Sequence, residues 1–242
     1  MSIDRFYFAL LIAVAAIIVA CGQNSTEPTP APTATPLPPD PKEILERSGQ
    51  VMASLKTFNF RMYHDVGSLE ILEGLLIEKV SGKIVNPDKL SMEFSGSFGG
   101  GFAIKSEVIT VGDQSYMTNP LTGNWEASDA SISPVGFFSP TRGIAEMMGQ
   151  TQNATLLDDG SSEGVYRISG ALPTTALSSL VGPTLTDRTV DLELKIDSIT
   201  DYLLEVRFTG AVTPSDVEDA ERVIVLSFFN EDVVIDPPED AS

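Results

Sequence analysis

The sequence predicts an α+β fold: one large antiparallel β-sheet of about ten strands with helices on one face. Three observations predict it. Apolar and polar residues alternate through most of the chain after residue 57, the links between successive strands are short, and helical spacing is confined to a few brief stretches. Hydrophobic residues make up 42% of the 242, ordinary for a folded protein and too many for a disordered one.

The first element is a helix over residues 41–55. Asp40-Pro41-Lys42-Glu43 supplies an N-cap, a proline at the first position and an acid three residues after the cap. Ile44, Ser48, Val51, Met52 and Leu55 then fall on one side. From Phe58 the period changes to two, with Phe58, Phe60, Met62 and Val66 on one face of a strand. A strand closes at residues 84–87 with Asn86-Pro87-Asp88 as its turn, and Leu90, Met92, Phe94 and Phe98 alternate again. Gly99-Gly100-Gly101 separates that run from Phe102 and Ile104, and Val111-Gly112-Asp113-Gln114 separates Val108 from Tyr116; both read as hairpin turns. Ser139-Pro140 opens a short helix carrying Ile144, Met147 and Met148. Strands follow at 154–157 and 165–170, and Pro173 opens a second short helix with Leu177, Leu180 and Val181. Further strands run through Val190 to Ile196, Leu204 to Phe208 and Val223 to Phe229, with a last short one at 233–235. Arg61, Glu93, Lys105, Arg167, Glu193, Lys195, Glu205 and Arg207 occupy the alternate positions, so one face of the sheet meets water.

The amino-terminal forty-one residues read as an address and a tether. Residues 6–20 form an unbroken apolar run after Arg5, shorter than the roughly 20 residues that span a bilayer and suited to an export signal. The run ends in Ile18-Val19-Ala20-Cys21, which resembles a bacterial lipobox, whose cysteine is alkylated with diacylglycerol and becomes the new first residue. The competing reading is an uncleaved anchor with an incidental cysteine. Between Gly22 and Pro41 lie seven of the sixteen prolines, interleaved with Thr26, Thr29, Thr33 and Thr35. Proline lacks the N–H that ladders need, so residues 21–41 form a spacer with a reach of roughly 60 Å at about 3.1 Å per residue. The folded domain is then 42–242.

Several functions drop out. A net charge of −19 opposes nucleic acid, which requires a basic surface. One Cys and one His exclude an internal disulfide and the usual zinc ligand sets, and no cofactor is called for. His64 and Asp65 are adjacent on a strand and point to opposite faces, so they make no oriented dyad. Gly99-Gly100-Gly101 lacks the Lys-Ser/Thr of a phosphate loop, and Asp158, Asp159 and Asp187 read as loop acids. No enzymatic activity is expected. Met147, Met148, Leu177 and Leu180 on the short helices, facing Phe58, Phe60, Phe94, Phe138 and Phe208, fill a core or line an apolar cavity; pattern alone favours the core.

The stretch from Val108 to Met148 resembles the LppX/LprG-type lipoproteins. It carries Gly112 and Tyr116 in a hairpin, then Pro120-Leu121-Thr122-Gly123-Asn124-Trp125, then Ser133-Pro134-Val135-Gly136-Phe137-Phe138-Ser139-Pro140-Thr141-Arg142-Gly143-Ile144. Leu226-Ser227-Phe228-Phe229-Asn230-Glu231-Asp232-Val233-Val234-Ile235-Asp236-Pro237-Pro238 is similar to that family's closing strand. The resemblance implies a LolA-like curved half-barrel with helices on its concave face. It also implies a hydrophobic cavity for the acyl chains of a lipid or glycolipid. Such a protein would be a monomer held at the outer face of the cytoplasmic membrane through Cys21, within reach of a membrane lipid transporter. Strand alternation and helix faces then nominate the lining: Leu55, Phe58, Phe60, Met62, Phe94, Ile104, Phe138, Ile144, Met147, Leu177, Leu180, Leu192, Leu194, Val206 and Phe208. A LolA/LolB-like carrier of acylated lipoproteins and a ligand-free surface lipoprotein remain as alternatives.

Overall fold

The computed structural model describes residues 38–129, 133, 136–138, 143–160 and 163–239. The export signal, Cys21 and the spacer up to residue 37 lie outside these, as do residues 134–135 and 139–142 of the central motif.

Helix α1 (Pro41–Ser54) starts where its cap dictates: the Asp40 carboxylate accepts the Lys42 amide at 2.9 Å and Pro41 takes the first position. It buries Ile44, Leu45, Ser48, Gly49 and Met52, whereas Val51 is only half-buried. The buried stripe is thus rotated toward Leu45 and Gly49, because α1 packs on a second helix rather than on the sheet alone. That helix, α2 (Ile144–Gln150), packs Ala145 and Met148 against Gly49.

Twelve strands among the described residues form one open sheet. They are β1 (Thr57–Val66), β2 (Leu69–Leu72), β3 (Leu75–Val85), β4 (Lys89–Phe98), β5 (Phe102–Val111) and β6 (Gln114–Thr118), then β7 (Trp125–Ser128), β8 (Gln152–Asp159), β9 (Val165–Pro173), β10 (Thr189–Asp197), β11 (Leu203–Thr209) and β12 (Glu221–Ser227). The order across the sheet is β7-β6-β5-β4-β3-β1-β12-β11-β10-β9-β8, with β2 on β3, and every pairing is antiparallel. This is the expected α+β half-barrel, with more strands than the alternation revealed.

The topology explains the break in the middle of the sequence. From β1 the chain meanders outward to the β7 edge, crosses to the opposite edge at β8, and meanders back until β12 pairs with β1. The crossing segment must traverse one face of the sheet, and it carries buried Phe137, Phe138, Ile144, Met147 and Met148. The 3₁₀ turn Thr174–Leu177 and helix α3 (Ser178–Val181) come from the β9–β10 connection.

Four local expectations change. Val66 is exposed because a bulge between His64 and Val66 shifts its register. Phe98 is exposed where β4 ends, beside the β4–β5 turn. Asp158 and Asp159 close β8 instead of sitting in a loop, and Asp158 accepts the Gly160 amide. Residues 233–235 form no strand; the tail passes the sheet end, tied by the Asn230 amide to the Thr57 carbonyl and by the Lys89 ammonium to the Ile235 carbonyl. On the outer face the alternate residues pair across strands as Lys105–Glu93, Arg167–Glu193 and Lys195–Glu205, exposed pairs that water screens.

Candidate functional site

The concave face divides into two wings about β1. Over β8 to β12 it is covered: α1, α2 and the 3₁₀ turn pack Leu45, Met52, Met147 and Leu177 into one core with Ile168, Leu192, Leu194, Val206 and Phe208. Over β3 to β6 neither α1 nor α2 lines the space above the sheet. There Phe60 and Met62 of β1, Leu69 of β2, Leu75, Ile77 and Val80 of β3, Met92 and Phe94 of β4, Val108 of β5, Met117 of β6 and Ile224 of β12 surround a hollow, closed from above by Phe138 and Leu180. Its volume is about 70 Å³, and all thirteen lining side chains are apolar.

Phe138 is the keystone of this roof. Its ring lies 4.4 Å from Phe60, 5.8 Å from Phe58 and 5.2 Å from Phe137, the last two edge-on. Gly143 holds the turn that presents it. The Ile144 amide bonds the Phe137 carbonyl at 3.0 Å, and any Cβ on Gly143 would overlap that carbonyl. Its φ of 84° also suits glycine alone.

Of the fifteen nominated residues, Phe60, Met62, Phe94, Phe138 and Leu180 line the hollow. Leu55, Phe58, Ile144, Met147, Leu177, Leu192, Leu194, Val206 and Phe208 are buried in the surrounding core, and Ile104 is half-buried on β5. Sequence reasoning drew on both wings, and the helices fill one of them. It did not nominate Leu69, Leu75, Ile77, Val80, Met92, Val108, Met117 or Ile224. Met92 and Val108 carried the alternation signal. Ile77 and Val80 could not, since a bulge between Ile77 and Lys79 puts an odd and an even residue on the same face.

Two residues along β1 and β12 from the hollow sits a buried polar cluster that the sequence reading missed. Arg222 is 2% exposed; its Nε donates to His64 Nε2 at 3.0 Å and its Nη2 pairs with Asp216 Oδ1. Asp216 Oδ2 accepts the amides of Val212 and Thr213 at 2.8 and 2.9 Å, while His64 Nδ1 reaches the Glu78 carbonyl at 3.2 Å. With Nε2 accepting, the proton of neutral His64 resides on Nδ1. Burial pushes the His64 pKa below its ordinary value. Burial would raise the Asp216 carboxyl, but Arg222 and the two amides more than offset it and hold the pKa down. Asp65 turns the other way, to Arg207. The cluster is closed on itself and ties the β11–β12 loop to β1. Among the described residues no group of three or more His, Cys, Asp or Glu is placed to hold a metal, and no helix is long and apolar enough to cross a membrane.

A larger groove of about 850 Å³ lies on the outer face, between Arg61, Lys83, Glu93 and the tail residues Phe228 and Val234. It is open and mixed in polarity, so it offers no dry enclosure.

A family model described as LppX_LprAFG lipoprotein matches residues 40–233. The chain belongs to the LppX_LprAFG lipoprotein family. Among solved structures, this LppX_LprAFG protein is similar to LprF from Mycobacterium bovis (17% identity, TM-score 0.64, covering 82% of this chain and 96% of that one). It is also similar to the lipoprotein LppX from Mycobacterium tuberculosis (15% identity, TM-score 0.53, covering 82% and 100%). At these identities the likeness speaks for the fold. No curated protein matches the chain in sequence.

Proposed function

We propose that this LppX_LprAFG protein is a lipid carrier of the cell envelope. It is cut before Cys21, acylated there, held at the outer face of the cytoplasmic membrane, and loads a lipid acyl chain beneath Phe138. The observation that supports this is the hollow over β3 to β6, lined by thirteen apolar side chains.

At about 70 Å³ the hollow equals roughly two water volumes, taking ~30 Å³ each, so loading requires the roof to move. The magnitudes favour it. Burying roughly ten methylenes contributes about 8 kcal/mol at ~0.8 kcal/mol each. Dislodging Phe138 forfeits about 3–5 kcal/mol, the usual cost of losing a buried Phe. Met62, Met92 and Met117 soften the wall, because unbranched thioether side chains repack at little expense. Carriage is then passive: the cavity replaces the membrane as the chain's apolar solvent while the anchor keeps the protein close.

Native mass spectrometry of the acylated protein, purified without detergent, tests the proposal. A glycerolipid or glycolipid adduct is expected. Met92→Glu with Met117→Glu places two charges in the wall and should abolish it while circular dichroism stays native. An adduct that survives in the folded variant would reject this cavity. An acylated protein in its place would indicate a lipoprotein chaperone, and bare mass an anchored scaffold.

A further inference from the structure

We infer that the β4–β5 hairpin tip is a bilayer-inserting element that turns the β4–β5 end of the hollow toward the membrane. This rests on the carrier reading above and adds what a tether alone does not supply. A tether at Cys21, whose reach the sequence puts at roughly 60 Å, concentrates the domain near a surface without fixing which end faces it. Orientation needs a second contact.

The inner faces of β4 and β5 continue past the cavity to an uncovered rim. Along β4 the inward positions run Phe94, Gly96, Phe98, and Phe98 pairs with Phe102 across the hairpin. Phe94 and Leu75 line the hollow, and Leu75 is the partner of Phe98 on the neighbouring strand, so the greasy surface is continuous from cavity to tip. At the tip it meets water: Phe98 is 51% and Phe102 76% exposed. Between them Gly99-Gly100-Gly101 adopts positive φ throughout, and added Cβ atoms on Gly100 and Gly101 would touch nothing. The stretch from Ser97 to Ala103 carries no charge in a protein whose net charge is −19.

The register shows that this rim is distinctive. The turns β2–β3, β4–β5 and β6–β7 and the β11–β12 loop all open at the end of the sheet where β1 finishes. Among the described residues ten large apolar side chains are exposed. Six of them (Val66, Leu76, Phe98, Phe102, Leu121 and Val217) are at or near this end, Leu157 is on the β8 edge, and Ile199, Phe228 and Val234 mark the other end. The same rim carries Glu73, Glu218 and Asp219, which disfavour anionic headgroups. Aromatic side chains on an uncharged tip with acids behind it suit shallow insertion into a neutral bilayer, driven by apolar burial and insensitive to salt.

The test uses the acylated protein on phosphatidylcholine vesicles with brominated acyl chains. Trp125→Phe removes the native indole, and a single reporter is introduced as Phe102→Trp or, at the opposite end, Ile199→Trp. The Phe102→Trp reporter is expected to shift to the blue and lose roughly half its emission, as a ring seated ~5–10 Å into the interface should. Raising the salt to about 1 M should leave this unchanged, and Ile199→Trp should stay unquenched. Equal quenching of both reporters, or of neither while the protein floats with the vesicles, overturns the inference and leaves the anchor intact. A quenched tip reporter in a protein that yields no lipid adduct rejects the carrier reading and leaves the tip standing.

Discussion

The hollow beneath Phe138 has an energetic signature that a pair of conservative substitutions should reveal. Val80 and Val108 line it at 8% and 1% exposure. An empty cavity costs about 24 cal/mol per Å³, so about 70 Å³ penalises the unliganded protein by roughly 1.7 kcal/mol. Val80→Ile and Val108→Ile each add one methylene without losing the β-branch that suits a strand. At ~0.8 kcal/mol per buried methylene the pair gains about 1.6 kcal/mol, close to the whole penalty. The double variant should therefore unfold at higher urea with an unchanged m-value. An acyl ligand must displace the new methyls, so its apparent affinity should fall roughly tenfold. Urea titration followed by tryptophan emission reads the first, and native mass spectrometry against a fatty-acid series the second. Destabilisation by about 1 kcal/mol or more would be the mark of overpacking, and would show that no open volume exists there.

Gly143→Ala should lower stability by roughly 1–3 kcal/mol and loosen Phe138, because the new Cβ displaces the Phe137 carbonyl that Ile144 binds. Thermal melts check the first and increased binding of an apolar dye the second. Burial depresses His64 below its ordinary 6.5, so the folded protein binds that proton less readily than the unfolded chain. That contribution is complete above 6.5 and is lost as the pH falls below it; the depressed Asp216 adds a further loss only below 3.8. Urea midpoints between about pH 5 and 7.5 should fall with acid in the native protein and flatten in His64→Gln, and an unaltered slope would disprove the assignment. Arg222→Met strands the Asp216 carboxylate, whose side chain is fully buried, and should cost about 3–5 kcal/mol, part of it recovered when Asp216→Asn removes the charge but keeps an acceptor for the Val212 and Thr213 amides.

The amino-acid order by itself determined the strand periods, the cap at Asp40 and the antiparallel class, because these depend on neighbours a few residues away. It pointed to Phe138 and the glycine after it through a motif, though not to the contact that makes Gly143 necessary. It exposed the outward charges at Glu93, Lys105, Glu193 and Lys195, since alternation alone assigns a side to each. Tertiary structure decided the rest. Bulges at residues 65 and 78 reversed the phase of Val66 and of Ile77, and a phase error moves a side chain to the wrong face. Which wing the helices fill follows from a crossing between two sheet edges, a contact set by topology, so Leu194 and Phe208 read like Phe60 and Phe94 but are sealed in a packed core. Arg222, next to Glu221 at the start of an apolar strand, finds Asp216 and His64 only when three separate elements meet, and a desolvated ion pair leaves no periodic trace along a chain.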